Sequence, residues 1–313
     1  MKEIIIVDRA HPALQDKLIE LGYNCSTDLN FTYNAFLHNS DDFSGLIIRS
    51  KFVVDEAIID SKPSLKFVVR LGSGVENIDV EYAESKGIKV ISTPDGNANA
   101  VAEHCLALLM AGLRHISVSD REVRRGEWLR EKNKGSELRS HTYGIIGYGH
   151  TGPAFAKILA SLGCEVLAYD KYNPCRNDGF AIASSIDDIR EKCDVISVHI
   201  NYLPENHHFI NDMFFNSLSK DIIFLNTSRG AVVDTKSLVS QLQRGKVLFA
   251  GLDVLEYENT RLKLAPKEEW NADMDALAKM DNVVLTPHVG GQTKEAELRH
   301  AEIAVREITA LDL

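Results

Sequence analysis

Gly147, Gly149 and Gly152 form a G-x-G-x-x-G run between an apolar stretch, residues 143–147, and a segment of helical periodicity. In such a turn the first glycine permits the tight bend and the second lets a pyrophosphate approach the backbone. The third lets helix and strand pack closely. The helical segment puts Phe155, Ile158, Leu159 and Leu162 on one face and stops at Gly163. A second apolar run, Glu165–Tyr169, leads to Asp170, eighteen residues after Gly152. A carboxylate there accepts from both ribose hydroxyls of an adenosine and repels a 2′-phosphate. The chain therefore reads as holding a dinucleotide, and NAD rather than NADP.

Three later segments carry side chains suited to chemistry. Arg229 follows the apolar run 222–226, Asp253, Glu256 and Glu258 follow 249–252, and His288 follows 283–286. An arginine, a carboxylate and a histidine thus fall at the carboxyl edge of one parallel sheet, where ligands bind in this fold class. Oxidising a secondary alcohol with NAD needs a base for the hydroxyl proton, and the reverse reaction needs an acid. Histidine does both near neutral pH. A carboxylate partner fixes its tautomer and stabilises the imidazolium. A guanidinium grips the carboxylate of a 2-hydroxy acid with two parallel bonds. Spacing alone does not choose between Glu256 and Glu258.

The elements that position these residues follow from a pass along the chain. A length of 313 residues suits two domains of ~150 residues. Strand patterns at 3–8, 45–50, 65–70 and 88–91 alternate with helical ones at 12–21 and 80–86. That alternation gives a doubly wound parallel sheet. One long helix is expected from residue 100 to about 125. A second α/β unit contains the glycine turn and strands at 195–200, 222–226, 249–252 and 283–286, with a helix at 238–244 closed by Gly245. The fold class is α/β, with two doubly wound parallel-sheet domains. The first domain is discontinuous, 1–98 and 290–313, and the second, 99–289, is the Rossmann-type insert.

Composition narrows the function further. A hydrophobic share of 44% and a charged share of 26% fit a soluble globular protein. The net charge of −10 disfavours nucleic acid as a partner. It is compatible with a small anionic substrate met by a local basic cluster. The longest apolar segment, 101–113, is interrupted by Glu103 and His104 and is too short to cross a bilayer, so no membrane role is expected. Cys25, Cys105, Cys164, Cys175 and Cys193 show no metal-ligand spacing. Cys105 and Cys164 lie in apolar surroundings, as buried thiols of a reducing, cytoplasmic protein do, and no metal is expected.

The chain as a whole resembles the D-2-hydroxyacid dehydrogenase family. The resemblance runs through Arg70-Leu-Gly72-Ser73-Gly74-Val75-Glu76-Asn77-Ile78-Asp79, Asn99-Ala-Val-Ala-Glu-His104 and Arg125-Gly-Glu-Trp128. It continues through the glycine turn, Ser228-Arg229-Gly230-Ala-Val-Val-Asp234, Gly251-Leu-Asp253-Val254 and Thr286-Pro-His288-Val-Gly-Gly291. It implies a Rossmann-type NAD-binding domain inserted in a flavodoxin-like substrate domain. It implies a catalytic set of Arg229, Glu258 and His288, with Glu258 selected because it lies five residues after Asp253. It also implies cofactor contacts at His150, Thr151, His199, Ile200, Thr227, Ser228, Arg229, Asp253, His288, Gly290 and Gly291, beside Gly147, Gly149, Gly152 and Asp170.

Within the family the pattern is most similar to the branch that oxidises 3-phosphoglycerate to 3-phosphohydroxypyruvate in serine biosynthesis. Arg49 and Arg70 end strands of the first domain, and similar basic positions in that branch face the substrate phosphate. Lys51 is a weaker member of this cluster. Ser73, Gly74 and Val75 offer backbone N–H groups to the carboxylate, and Arg229 and His288 also contact the substrate. The resemblance further implies a homodimer formed through residues 100–140, and no carboxy-terminal regulatory domain. Two other readings remain open: a glyoxylate or hydroxypyruvate reductase, and an NAD(H)-sensing corepressor-like interaction protein. Asn259 stands where a proline often follows the glutamate, Glu76 replaces the usual aspartate, and Ala100 replaces a common serine.

Overall fold

Ile4-Ile5-Ile6 and Leu46-Ile47-Ile48 are almost completely buried, as strands covered on both faces must be. A computed structural model of the chain describes residues 3–172, 178–259 and 262–311; Cys175 lies outside them. The described residues group into two units. One takes in those within Met1–Asn97, Asn259–Lys263 and Gln292–Leu313; the other takes in Ala98–Glu258 and Leu264–Gly291.

The first unit is built on five parallel strands: β1 (Glu3–Ile6), β2 (Asn24–Thr27), β3 (Gly45–Ile48), β4 (Phe67–Arg70) and β5 (Lys89–Ser92), in the order β2-β1-β3-β4-β5. Two apolar layers cover it. One centres on Phe36, Phe52, Leu46 and Val68. The other gathers Ile4, Phe67 and Val69 against Ala301, Ala304 and Ile308 of the returning helix Lys294–Ala310. Thr293 caps that helix by accepting from the Ala296 amide at 3.0 Å.

The second unit carries β6 (Thr142–Ile146), β7 (Glu165–Tyr169), β8 (Ile182–Ala183), β9 (Val195–Val198), β10 (Ile222–Asn226), β11 (Val247–Leu252) and β12 (Val283–Leu285). Their order is β12-β11-β10-β9-β6-β7-β8, all parallel. The order reverses at β6, and the crevice beside that switch point is where such sheets take a ligand. The helices Ala98–Leu113 and Thr151–Ser161 cover one face, burying Leu108, Leu109, Phe155 and Leu159.

Three expectations need correction. The single long helix is two, Ala98–Leu113 and Ile116–Arg124, bent by 58° where His115 takes a left-handed φ of 50°. Leu162, expected on the buried face of its helix, follows the last helical turn and is 38% exposed. Cys164 is only half-buried, whereas Cys25, Cys105 and Cys193 are buried. Among the described residues, no single helix is long and apolar enough to cross a membrane.

Candidate active site

The turn after β6 has the backbone its glycines demand. Gly147 sits at φ 95°, and a Cβ there would meet the His199 carbonyl oxygen at 2.6 Å and Ile200 Cγ2 at 2.7 Å. A Cβ on Gly152 would come within 2.2 Å of the Gly147 carbonyl oxygen. Both glycines are therefore required by the protein's own packing. Gly149 is different: a Cβ there would meet nothing within 4 Å among the described residues. They leave that space open, as a backbone cradle for a pyrophosphate would. His150 is the N-cap residue of the following helix, Thr151–Ser161, and its side chain is exposed.

Asp170 is aimed by two backbone amides. Its Oδ2 accepts from Tyr148 N at 2.7 Å and its Oδ1 from Tyr172 N at 2.8 Å. The carboxylate is thereby fixed beside the glycine turn. Asp170 and Gly149 together fit the adenosine and pyrophosphate of NAD.

His199 is placed otherwise than as an exposed ligand contact. Its ring nitrogens are bonded to Ser197 Oγ at 2.8 Å and Thr151 Oγ1 at 3.0 Å, and it is 8% exposed. Burial pushes its pKa down to about 4, so the ring is neutral near neutral pH. It forms the floor under Gly147, and both its nitrogens are engaged within the protein. Thr227 is likewise turned inward, with Oγ1 3.1 Å from Cys105 Sγ. Ser228 donates through N and Oγ to Asn226 Oδ1, at 3.0 and 2.9 Å.

The loops after β10, β11 and β12 bring the chemistry together. Gly230 packs so tightly that a Cβ would lie 2.0 Å from the Leu255 carbonyl carbon. The Arg229 loop is thus pressed against the segment that leads to Glu258. Arg229 is half-buried, and its Nη1 donates to the Ser228 carbonyl at 2.8 Å. Glu258 Oε2 lies 2.7 Å from His288 Nδ1, and Glu258 Oε1 accepts from the Leu255 amide. The His288 backbone takes a left-handed φ of 53°, a strained conformation for histidine, fixed by bonds from its amide to the carbonyls of Asp253 (2.8 Å) and Thr286 (3.0 Å).

Asp253 braces this corner and is 2% exposed. Its Oδ1 accepts from Thr286 Oγ1 at 2.6 Å and Val289 N at 2.9 Å, and its Oδ2 from Gly290 N at 2.7 Å. His104 Nε2 lies 3.3 Å from Oδ1. Burial alone would push the Asp253 carboxyl up; the bonds from His104, Thr286, Val289 and Gly290 outweigh it and hold it below the usual range. Gly291 follows, half-buried. His104 and Thr286 were not assigned roles from sequence; 182 positions separate them, though their side chains meet at 2.9 Å.

Glu256 points elsewhere. Its Oε1 lies 2.7 Å from His208 Nε2, and its Oε2 accepts from Thr235 N at 3.0 Å. His208, Asp234 and Glu256 are the group among the described residues whose ligand atoms lie within 4.8 Å of one another. The bonds of Glu256, and the capping of helix Thr235–Arg244 by Asp234, already occupy this cluster.

In the first unit, Asp8 Oδ2 accepts from three successive amides, Arg49, Ser50 and Lys51, at 2.9, 3.0 and 3.0 Å. This fixes the backbone from which Arg49 projects. Its Nη1 lies 3.4 Å from Glu297 Oε1. The Lys51 ammonium donates to the Leu29 carbonyl. Arg70 lies over Gly72, so close that a Cβ on Gly72 would overlap its guanidinium. Ser73 is exposed and Gly74 and Val75 are half-buried in the turn that follows.

Residues 106–290 match the model of the D-isomer specific 2-hydroxyacid dehydrogenase NAD-binding domain. The chain is 32% identical to a D-3-phosphoglycerate dehydrogenase of Methanocaldococcus jannaschii, over 98% of this chain and 57% of that protein. It is 36% identical to a hydroxypyruvate reductase of Thermotoga maritima, over 81% of this chain and 80% of that protein. Among solved structures it is similar to a D-lactate dehydrogenase of Aquifex aeolicus complexed with NAD and lactic acid. That likeness has a TM-score of 0.81 and 27% identity, covering 99% of this chain and 95% of that one. The chain thus spans little more than half the length of the phosphoglycerate dehydrogenase it matches.

Proposed function

The chain belongs to the D-isomer specific 2-hydroxyacid dehydrogenase family, whose cofactor is NAD, and we propose that it oxidises D-3-phosphoglycerate to 3-phosphohydroxypyruvate. The observation that carries the chemistry is the 2.7 Å pair of His288 and Glu258. Glu258 holds Nδ1, and Nε2 takes the hydroxyl proton; the Glu258 charge stabilises the imidazolium that results. Arg229 grips the substrate carboxylate through its planar fork. NAD, when bound, supplies the hydride acceptor.

The phosphate preference rests on Arg49 and Arg70. β3 and β4 are neighbours, with Ile48 paired to Arg70, so the two arginines leave adjacent strand ends. The test is turnover of D-3-phosphoglycerate, D-glycerate and glyoxylate by wild type, Arg49→Ala and Arg70→Ala. Selective loss of the phosphorylated substrate is expected. Equal losses for 3-phosphoglycerate and glycerate would overturn the phosphate assignment.

A hydroxypyruvate or glyoxylate reductase is the second reading, favoured by the 80% of the Thermotoga protein's length that the likeness covers. Higher kcat/KM with hydroxypyruvate than with 3-phosphohydroxypyruvate would select it. NADH binding with no turnover of any acid would instead select a sensing protein. We further propose a homodimer formed through residues 100–140. Ile116, Val123, Trp128 and Leu129 are exposed there, Trp128 by 75%. Light scattering on wild type and Trp128→Glu tests this, and a monomeric wild type would overturn it.

A further inference from the structure

Thr93 and His300 stand 207 positions apart, yet together they support the turn that follows β4. Thr93 is fully buried just after β5. Its Oγ1 accepts from the Gly72 amide at 2.8 Å, and its own amide donates to the Gly72 carbonyl at 2.9 Å. The same Oγ1 lies 2.7 Å from Nδ1 of His300, which is 4% exposed on the helix Lys294–Ala310.

The ring has little freedom. A Cβ on Gly96 would come within 2.2 Å of His300 Nδ1, so the imidazole is packed directly on that backbone. Arg299 Nε donates to the Gly96 carbonyl at 3.0 Å and pins the same segment. Gly72, at the far end of the chain of bonds, is the residue over which Arg70 lies.

We propose that Thr93 and His300 are positioning residues for substrate, holding the Gly72–Gly74 turn in the conformation that receives the substrate's carboxylate. The proposal rests on the reading of Ser73, Gly74 and Val75 as a carboxylate-binding turn. An aliphatic side chain at 300 would fill the same space without bringing a polar ring beside arginines. What the imidazole adds is its bond to Thr93. Burial, then Arg49, Arg70 and Arg299, push its pKa down to about 4, so it keeps that bond near neutral pH without adding a positive charge.

The test compares Thr93→Val, Thr93→Ser, His300→Ala and His300→Asn with wild type. Asparagine places an amide atom close to where Nδ1 sits, and serine keeps the hydroxyl. KM for glyoxylate and for 3-phosphohydroxypyruvate, kcat, and NADH affinity are measured, with amide hydrogen exchange of a peptide spanning residues 71–76. Thr93→Val and His300→Ala should raise both KM values about tenfold, the scale of one lost buried hydrogen bond. They should also speed exchange, with kcat and NADH affinity little changed. Thr93→Ser and His300→Asn should restore KM and exchange. Unchanged KM in Thr93→Val and His300→Ala would overturn the proposal. So would a His300→Asn variant as impaired as His300→Ala, since the ring would then act by packing alone. If wild type turns over neither acid, the functional reading and the substrate role fall together, while the exchange rates still show whether the turn is held.

Discussion

His288 Nδ1 and Glu258 Oε2 lie 2.7 Å apart although 30 positions separate them. Two features bring them together. Asp253 gathers the amides of Val289 and Gly290, and Gly230 lets the neighbouring loop close on Leu255. The relationship separates the two candidate carboxylates, because Glu256 is bonded to His208 and to the Thr235 amide.

Glu258→Gln should lower kcat by about 10²-fold or more, because the imidazolium loses its charged partner. Glu256→Gln should instead destabilise the protein by about 1–3 kcal/mol, since His208 and the Thr235 amide lose their carboxylate, with a smaller effect on kcat. Steady-state rates and urea unfolding of both variants check this. A damaged Glu256 variant beside an unimpaired Glu258 variant would reverse the assignment.

Gly149→Ala and Gly152→Ala should fail in different ways. At Gly149 a Cβ meets no atom of the described residues within 4 Å, so the variant should fold normally and lose NADH affinity about tenfold or more. At Gly152 a Cβ meets the Gly147 carbonyl oxygen at 2.2 Å. That variant should melt roughly 5 °C or more below wild type. Thermal melts and fluorescence titration with NADH distinguish the two.

The glycine turn was legible because it makes backbone demands that only glycine meets, as the φ of 95° at Gly147 illustrates. The paired Glu258 was not legible from spacing, because both glutamates follow the same strand and only the fold decides which one reaches His288. The break at His115 carries no proline or glycine, so the apolar periodicity ran straight through it. β2 was missed because Asn24–Thr27 is a short edge strand with one buried side chain, Cys25. The helix Ile186–Lys192 was not read from the sequence, although the reciprocal cap of Ser185 and Asp188 marks its start. Contacts such as Thr93 to His300 leave no local trace, since neither residue disturbs the pattern around it.

Asp170→Ala should relax the preference for NAD over NADP. The variant loses the acceptor for the ribose hydroxyls and the charge that repels a 2′-phosphate. It also frees the Tyr148 and Tyr172 amides that Asp170 now accepts from. The ratio of kcat/KM for NADH over NADPH should fall by about tenfold or more. An unchanged ratio would remove Asp170 from cofactor choice.

Acid should weaken the fold in a defined window. The pKa values of His199 and His300 drop from 6.5 to about 4 on folding. Above pH 6.5 both states hold these rings neutral, and stability is at its full value. As pH falls from 6.5 to 4 the unfolded chain takes up protons that the folded rings refuse. Each ring then costs up to about 3 kcal/mol. Below pH 4 this loss levels off. Urea unfolding at pH 7.5, 5.5 and 4.5 should follow this course, and His300→Asn should flatten it. Equal stability at pH 7.5 and 4.5 would contradict both shifts.

The most direct test of the account is NADH formation from NAD and D-3-phosphoglycerate by wild type and His288→Ala, with NADH affinity measured for both. Wild type should form NADH, and the variant should lose about 10²- to 10⁴-fold in kcat while binding NADH nearly as well. Full activity in His288→Ala, or no NADH formation by wild type from any D-2-hydroxy acid, would contradict it.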